Sequence, residues 1–429
     1  MQPMLDRSAP SVRSTPGIMT LSTVLFFGVF LCLWALMHVW VGRRLIVRGR
    51  EYPAWVRRMI VGVLVSLAIV PVLAVFGRRL EIVNELGVLQ WIGFVFMGVS
   101  TLLIALTMIV DTPRLVAQGG LALRKRWRAT QDRLDPRASD AQPDNGPGLG
   151  SPPRRQFFAD IANYGIVGGA VGLSVVGFAE ARRVPRVVRV NVPIQDLHPD
   201  LDGLRIVQLT DVHIGPTIRG TWLDQVVDVA NSLEPDLVAL TGDFVDGFVD
   251  DLGPELGGLS KLRAQHGAFF VTGNHEYYWD GPAWCAAIDA LGPTVLNNEH
   301  RLIERGAARL LLAGVTDLGA GRHEPAHASD PAKAKANAPA HDLAVLLAHQ
   351  PRSVYGAAKA GFDLQLSGHT HSGQYFPMSL MIHLMQPYVH GLARHDDMQI
   401  YVSAGTGYWG PPNRAGSPSE ITLLTLRRA

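Results

Sequence analysis

Seven side chains between positions 211 and 371 have the chemistry to hold metal ions: Asp211, His213, Asp243, Asn274, His349, His369 and His371. They offer carboxylate and amide oxygens together with imidazole nitrogens. That mixture suits manganese, iron or zinc, whereas a structural zinc knot would draw on thiolates. The chain has two cysteines, Cys32 in an apolar run and Cys285 in the later half, so no disulfide framework is expected and the compartment stays open. One pair such as Asp211 and His213 is common by chance. Seven such groups in ordered clusters point to a metal-dependent reaction.

The elements that must position them are legible. Leu204–Thr210 is an apolar strand ending in Asp211-Val212-His213, Leu237–Thr241 ends in Gly242-Asp243, and Ala268–Thr272 ends in Gly273-Asn274-His275-Glu276. Leu343–Leu347 leads to His349, and Leu364–Leu366 leads to Gly368-His369-Thr370-His371. Further strands are expected over Arg309–Ala313, Gln399–Ser403 and Ile421–Leu426, with helices over Trp222–Leu233 and Pro282–Leu291. Each cluster thus follows the carboxyl end of a strand, the edge at which layered α/β folds assemble their sites. Strands this apolar imply sheets covered by helices. Glycines at 242, 273 and 368 allow the close backbone turns a bound ion needs.

The series Asp-x-His, Gly-Asp-x-x-Asp, Gly-Asn-His-Glu, a histidine after a strand, and Gly-His-x-His resembles the calcineurin-like metallophosphoesterase superfamily, in its membrane-associated branch. The resemblance covers about Ile206 to Leu426 and includes Gly391–Arg394, Tyr401–Gly405 and Pro412–Arg414. It implies a four-layer α-β-β-α sandwich and two divalent ions. Asp211, His213, Asp243 and His371 would hold one ion; Asp243 would bridge to a second, completed by Asn274, His349 and His369. A hydroxide between the ions would attack phosphorus, with His275 as the catalytic proton donor to the leaving oxygen. Some members of that branch are exported phosphodiesterases, and related ones act on lipid-sugar pyrophosphates, so the expected partner is a phosphorylated small molecule or lipid. Asp246 stands where purple acid phosphatases place a tyrosine, and His213 has no equivalent in them, which excludes that subtype. Asp246 itself reads either as an acceptor behind the ligands or as a loop residue.

The first 180 residues are of another kind. The mean hydropathy of +0.15 and hydrophobic fraction of 48% are high for a wholly aqueous enzyme, and the apolar runs sit before the chemistry. Residues 1–111 read as a transmembrane region with three helices, Ile18–Val41, Met59–Gly77 and Gly87–Val110, each near the ~20 residues a bilayer requires. Residues 112–156 read as a cytoplasmic linker, disordered from about Thr130 to Pro153. Residues 157–181 form a fourth, weaker apolar segment. It follows Arg154-Arg155, as in a twin-arginine export signal, and Ala179-Glu180-Ala181 offers a cleavage-site pattern. The catalytic domain occupies 187–429.

Arginines cluster in the loops after the first and third spans, and the positive-inside bias places those loops in the cytoplasm. A multi-pass protein of the cytoplasmic membrane follows, with its catalytic domain outside; Arg182, Arg183, Arg186 and Arg189 argue the other way unless they meet anionic headgroups. The net charge of +2 gives no broad basic surface, so no nucleic acid is expected. A membrane sensor or transporter with a degenerate phosphoesterase-like domain is the competing class, but degeneracy shows as lost ligands and none of the seven is missing. His323, His327 and His341 fall in a solvated insertion, and Arg394 and Arg414 are candidates to touch phosphate.

Overall fold

The computed structural model describes residues 21–48, 51–77, 87–134 and 152–429. Most of the expected linker, 135–151, and the short loop carrying Arg78 and Arg79 lie outside the described residues.

Four helices contain apolar windows long enough to cross a bilayer: α1 (Leu21–Val47), α2 (Ala54–Gly77), α3 (Gly87–Leu134) and α4 (Pro152–Ala181). The expected third span stops at Val110, yet α3 continues to Leu134. Charge ends the apolar window there without ending the helix, because the Leu, Ala, Lys and Arg that follow are strong helix formers. Small residues let the helices approach: a Cβ on Gly93 of α3 would collide with Ala74 of α2. The one acidic residue buried in the bundle, among the described residues, is Asp111. It pairs with Arg44 and with Arg48 at 2.7 Å and accepts from Trp40 Nε1 at 3.2 Å.

Helix α4 runs into the following domain. Ala181 is buried in that domain's core, so the cleavage-like pattern is folded into the junction. Arg182 fastens it, donating to the Thr217 carbonyl at 2.7 Å with its guanidinium 5.2 Å from the Trp91 ring centre on α3.

The remainder is built from two six-stranded mixed sheets. The first has the order β1 (Arg186–Ile194), β12 (Glu420–Arg428), β2 (Arg205–Leu209), β3 (Leu237–Leu240), β4 (Ala268–Phe270), β5 (Thr294–Val295). The second runs β10 (Gly391–His395), β11 (Met398–Val402), β9 (Leu364–Ser367), β8 (Leu343–Leu347), β7 (Ala308–Gly314), β6 (Glu299–Arg305). The helices are α5 (Gly220–Ser232), α6 (Val249–Leu252), α7 (Asn274–Tyr278), α8 (Gly281–Ala290), α9 (Pro331–Lys335), α10 (Val354–Lys359) and α11 (Met378–Met385).

Strand alternation sets the layers. Val207 and Leu209 point to α5, meeting Trp222, Leu223, Val226 and Val227, while Ile206 points to the other sheet. In the second sheet Leu310, Leu312, Val345 and Leu347 face inward; Leu311, Ala313, Ala344 and Leu346 face Val354 and Ala357 of α10. Helix, sheet, sheet, helix is the expected four-layer sandwich. Each fully buried Leu, Ile or Val contributes ~1.5–3 kcal/mol, so three stacked apolar layers fix the strand ends firmly.

The segment around 320–340 is not a free insertion. His327 Nδ1 lies 2.8 Å from Tyr277 Oη, and Ala334 is fully buried. His341 remains at the exposed edge.

Candidate metal centre

β2, β3, β4, β8 and β9 run parallel within their sheets, and their carboxyl ends release the seven expected residues into one place. Three groups form there, buried except for half-buried His369: Asp211 with His213 and His371, Asp243 with His349 and His369, and, between them, His213 with Asp243 and His275. His371 Nε2 lies 3.2 Å from Asp211 Oδ1 and 3.0 Å from His213 Nε2. His349 Nε2 lies 3.0 Å from Asp243 Oδ2 and 3.2 Å from His369 Nδ1. Asn274 opens α7 beside them, and its Oδ1 is buried with no hydrogen-bond partner.

The backbone is bent to deliver these groups. Asp211, His213, Asp243, His369 and His371 all adopt positive φ, between 50° and 71°. Left-handed backbone at non-glycine residues costs about 1–3 kcal/mol each and persists where the surroundings impose it. Glycines supply the remaining room: a Cβ on Gly273 would strike the Asp243 carboxylate, and one on Gly368 would strike Asp211.

Hydrogen bonds set which atoms are free. His349 Nδ1 donates to the Thr241 carbonyl at 2.8 Å, leaving Nε2 as the donor atom toward Asp243. The His369 N–H donates to both Asp211 oxygens at 3.0 Å, and the His275 N–H donates to Asp243 Oδ1 at 2.8 Å. Glu276, fully buried, was not singled out beyond its place in the Gly-Asn-His-Glu motif. It accepts from the N–H groups of Gly273 (2.6 Å), Phe244 (2.7 Å) and Asp243 (3.0 Å), which fastens the loop carrying Asp243.

Asp246 resolves toward the acceptor role. Its Oδ1 is 2.5 Å from His275 Nδ1, so the opposite ring nitrogen, Nε2, faces Asp243 Oδ2 at 3.9 Å. Burial works against a charged His275, but Asp243 and Asp246 outweigh it and raise the ring to about 9. Burial likewise opposes charge on His349, and Asp243 again wins, raising it to about 10. Burial lowers His369 to about 3, reinforced by His349, and lowers His371 to about 4 against the pull of Asp211. Burial also pushes Glu276 up to about 7, aided by Asp243. Asp211 and Asp243 stay well below the ordinary carboxylate range despite burial, held there by His371 and His349 respectively.

Arg414 and Arg394 do other work than touching phosphate. Arg414 is fully buried; it donates to the carbonyls of Ala404 (2.7 Å), His371 (3.0 Å) and Gly407 (3.0 Å), with Nη2 3.0 Å from His371 Nδ1. It pins His371. Arg394 bonds the Asp396 carbonyl in an exposed hairpin. Trp409, half exposed, was missed altogether: its ring centre is 5.6 Å from that of His275. Asp246 also lines a cavity of about 220 Å³ with Phe248, Trp279 and, from α3, Gly87 and Gln90.

A divalent cation fits this arrangement. Imidazole nitrogens approach one another and two carboxylates at hydrogen-bond distance, and a buried amide oxygen lacks any partner. Converging acceptors of this kind call for positive charge at their centre.

Comparison with known proteins agrees. The family model for calcineurin-like phosphoesterases matches residues 204–373. A transmembrane protein with metallophosphoesterase domain from Danio rerio is 38% identical over 265 residues, 60% of this chain and 61% of that protein. The protein of that name from Bos taurus is 41% identical over 268 residues, 60% of each chain, so this chain spans about three fifths of either relative. An uncharacterized metallophosphoesterase from Helicobacter pylori is 37% identical over 275 residues, covering 64% of this chain and 72% of that one.

Proposed function

The chain belongs to the calcineurin-like phosphoesterase family, and from that premise we propose that it is a membrane-bound, metal-dependent hydrolase of a phosphomonoester, phosphodiester or pyrophosphate bond. The observation that carries the reading is the meeting of Asp211, His213 and His371 with Asp243, His349 and His369 in adjoining clusters. Asp211, His213, Asp243 and His371 would hold one cation; Asp243, Asn274, His349 and His369 would hold a second, manganese, iron or zinc in either place. Two such ions supply an acidified water as nucleophile and positive charge for the phosphate oxygens.

The protein's own groups do the rest. Asp246 keeps His275 oriented through Nδ1, which leaves Nε2, on the Asp243 side, as the nitrogen that would give a proton to the leaving oxygen. Asp243 and Asp246 favour the protonated ring, which would serve as a general acid worth ~10²–10⁴-fold in rate. Glu276 and Arg414 hold the backbone and ring of Asp243 and His371 at fixed distances. The substrate is a phosphorylated small molecule or lipid of the cell envelope. Tyr375, shortly after His371, packs between membrane helices, which supports a source at the bilayer.

Four crossings of the cytoplasmic membrane, with α4 retained, would leave the domain at 187–429 outside. Arg44 and Arg48 at the end of α1 support this orientation under the positive-inside bias. The full-length protein, stripped of metal and reloaded with manganese, iron or zinc, should hydrolyse a nitrophenyl phosphodiester or monoester. No turnover with any of the three metals, in protein that remains folded, would sink the reading.

A further inference from the structure

Helix α11 has the sequence Met-Ser-Leu-Met-Ile-His-Leu-Met and turns nearly all of its apolar side chains outward. Met378, Leu380, Met381, Leu384 and Met385 are exposed, Leu384 to 88%, while Ile382 alone packs inward. Its only polar side chains are Ser379 and His383. Contiguous apolar patches of this kind mark surfaces that meet another apolar phase.

The segment leading into the helix says which phase. Tyr375 and Phe376 pack with Leu102 and Leu103 of α3 and Ile166 and Ala170 of α4, and Tyr375 hydrogen-bonds Thr101. At 1.5 Å per residue, Leu102 lies roughly 22 Å along α3 from Gly87, and Ala170 roughly 16 Å from the end of α4. Both positions lie within the apolar windows of α3 and α4 that are long enough to cross a hydrocarbon layer of ~30 Å. A second strap runs parallel: a Cβ on Gly98 would touch Pro411, and one on Gly177 would overlap Asn413. The catalytic domain therefore grips the flank of the spans, with α11 emerging from that grip.

Part of the backbone of α11 is satisfied within the protein, which lowers the cost of meeting an apolar phase. The N–H groups of Ser379, Leu380 and Met381 donate to the carbonyls of Tyr375 and Pro377. At the other end Gln386 donates to Ile382, and the Met385 carbonyl accepts from Arg352 at 2.8 Å.

We infer that α11 is seated in the acyl layer of the bilayer, an apolar element between the transmembrane spans and the rim of the metal centre. The occupant of its outward face is lipid hydrocarbon. The seating is independent of the activity proposed above. It would place the mouth of the centre, where Trp409 stands over His275, against lipid.

The test uses the full-length protein in vesicles of phosphatidylcholine and phosphatidylglycerol. Leu384→Cys, in a Cys32→Ser, Cys285→Ser background, carries a bimane label; Lys333→Cys on α9 is the aqueous control. Nitroxides on the lipid acyl chains should remove most of the Leu384→Cys fluorescence and leave the control bright, while aqueous iodide should do the reverse. Iodide quenching at Leu384→Cys overturns the inference. So does fluorescence reached by neither quencher, as it would be if a second copy of the chain covered the helix. Should Leu384→Cys not fold, Leu380→Cys gives the same reading. Absent turnover of a soluble phosphodiester would count against the proposed activity and leave the quenching result intact.

Discussion

The two halves of the molecule both bury charge, and they close it differently. In the helical bundle Asp111 is fully buried and answered on the spot by Arg44, Arg48 and the Trp40 indole. In the sandwich Asp211 and Asp243 are also buried, but histidines surround them, and the backbone is left-handed at five of the seven converging residues. Arg414 spends its donors on carbonyls and on His371. The first arrangement is complete without a ligand. The second balances only when rings take up protons, as His275 and His349 do at about 9 and 10, or when a cation replaces them. Buried charge that carries its own counter-charge is framework; buried acceptors without one are a site.

The sharpest way to break that contrast is to remove Asp243, the carboxylate common to the His275 cluster and the His349–His369 cluster. Asp243→Ala should abolish both bound metal and turnover, read by elemental analysis and nitrophenyl ester hydrolysis. Retention of two ions per chain would deny the convergence. Next in size is His275→Ala, expected to lower turnover by ~10²–10⁴-fold while metal content stays near normal. Asp246→Asn, which loosens His275 and also weakens the 3.5 Å contact of Asp246 Oδ2 with His213 Nδ1, should cost ~10–100-fold and move the alkaline limb of the pH–rate profile to lower pH. Equal losses in metal content would move these residues from proton transfer to metal holding.

Much of the sandwich was legible because each chemical motif sits directly after an apolar run, and strands covered on both faces read as near-continuous apolar stretches. Leu343–Leu347 is the clearest case, with all five residues buried. The edge strands were not legible. β1 carries Arg186 and Arg189 among valines and lies at a sheet border, so its charges resemble a juxtamembrane stretch, and β6 and β10 carry polar residues for the same reason. The site residues were readable as a set from their spacing, but the supports were not. Arg414 looks like a phosphate ligand in sequence, and only its distances to three carbonyls show where its donors go. Glu276 lies within a recognisable motif, yet its three N–H partners come from two separate strand ends. The packing of Tyr375 among the apolar helices depends on tertiary docking that no local pattern encodes.

Glu276→Gln sharpens the comparison from the supporting side. A carboxylate accepting three N–H bonds becomes an amide that brings two donors into a fully buried pocket. Stability should fall by ~1–3 kcal/mol, with weaker metal binding and little change in turnover once metal is saturating. Denaturant unfolding with and without added metal would show it, and a saturated rate lost outright would make Glu276 part of the chemistry.

The smallest expected effect on turnover tests the other half. Asp111→Asn leaves buried Arg44 and half-buried Arg48 without an opposing charge, a change that costs about 3–5 kcal/mol in a closed ion pair. The loss belongs to the bundle, because the metal clusters lie past the far end of α4 and share no hydrogen bond with Asp111. Thermal unfolding in detergent should therefore drop while turnover of a soluble phosphodiester, measured below that transition, stays level. If instead metal affinity at Asp243 changes along with bundle stability, the two regions are energetically coupled. The grip of Tyr375 on α3 and α4, four residues beyond His371, is then the path by which the membrane helices reach the site.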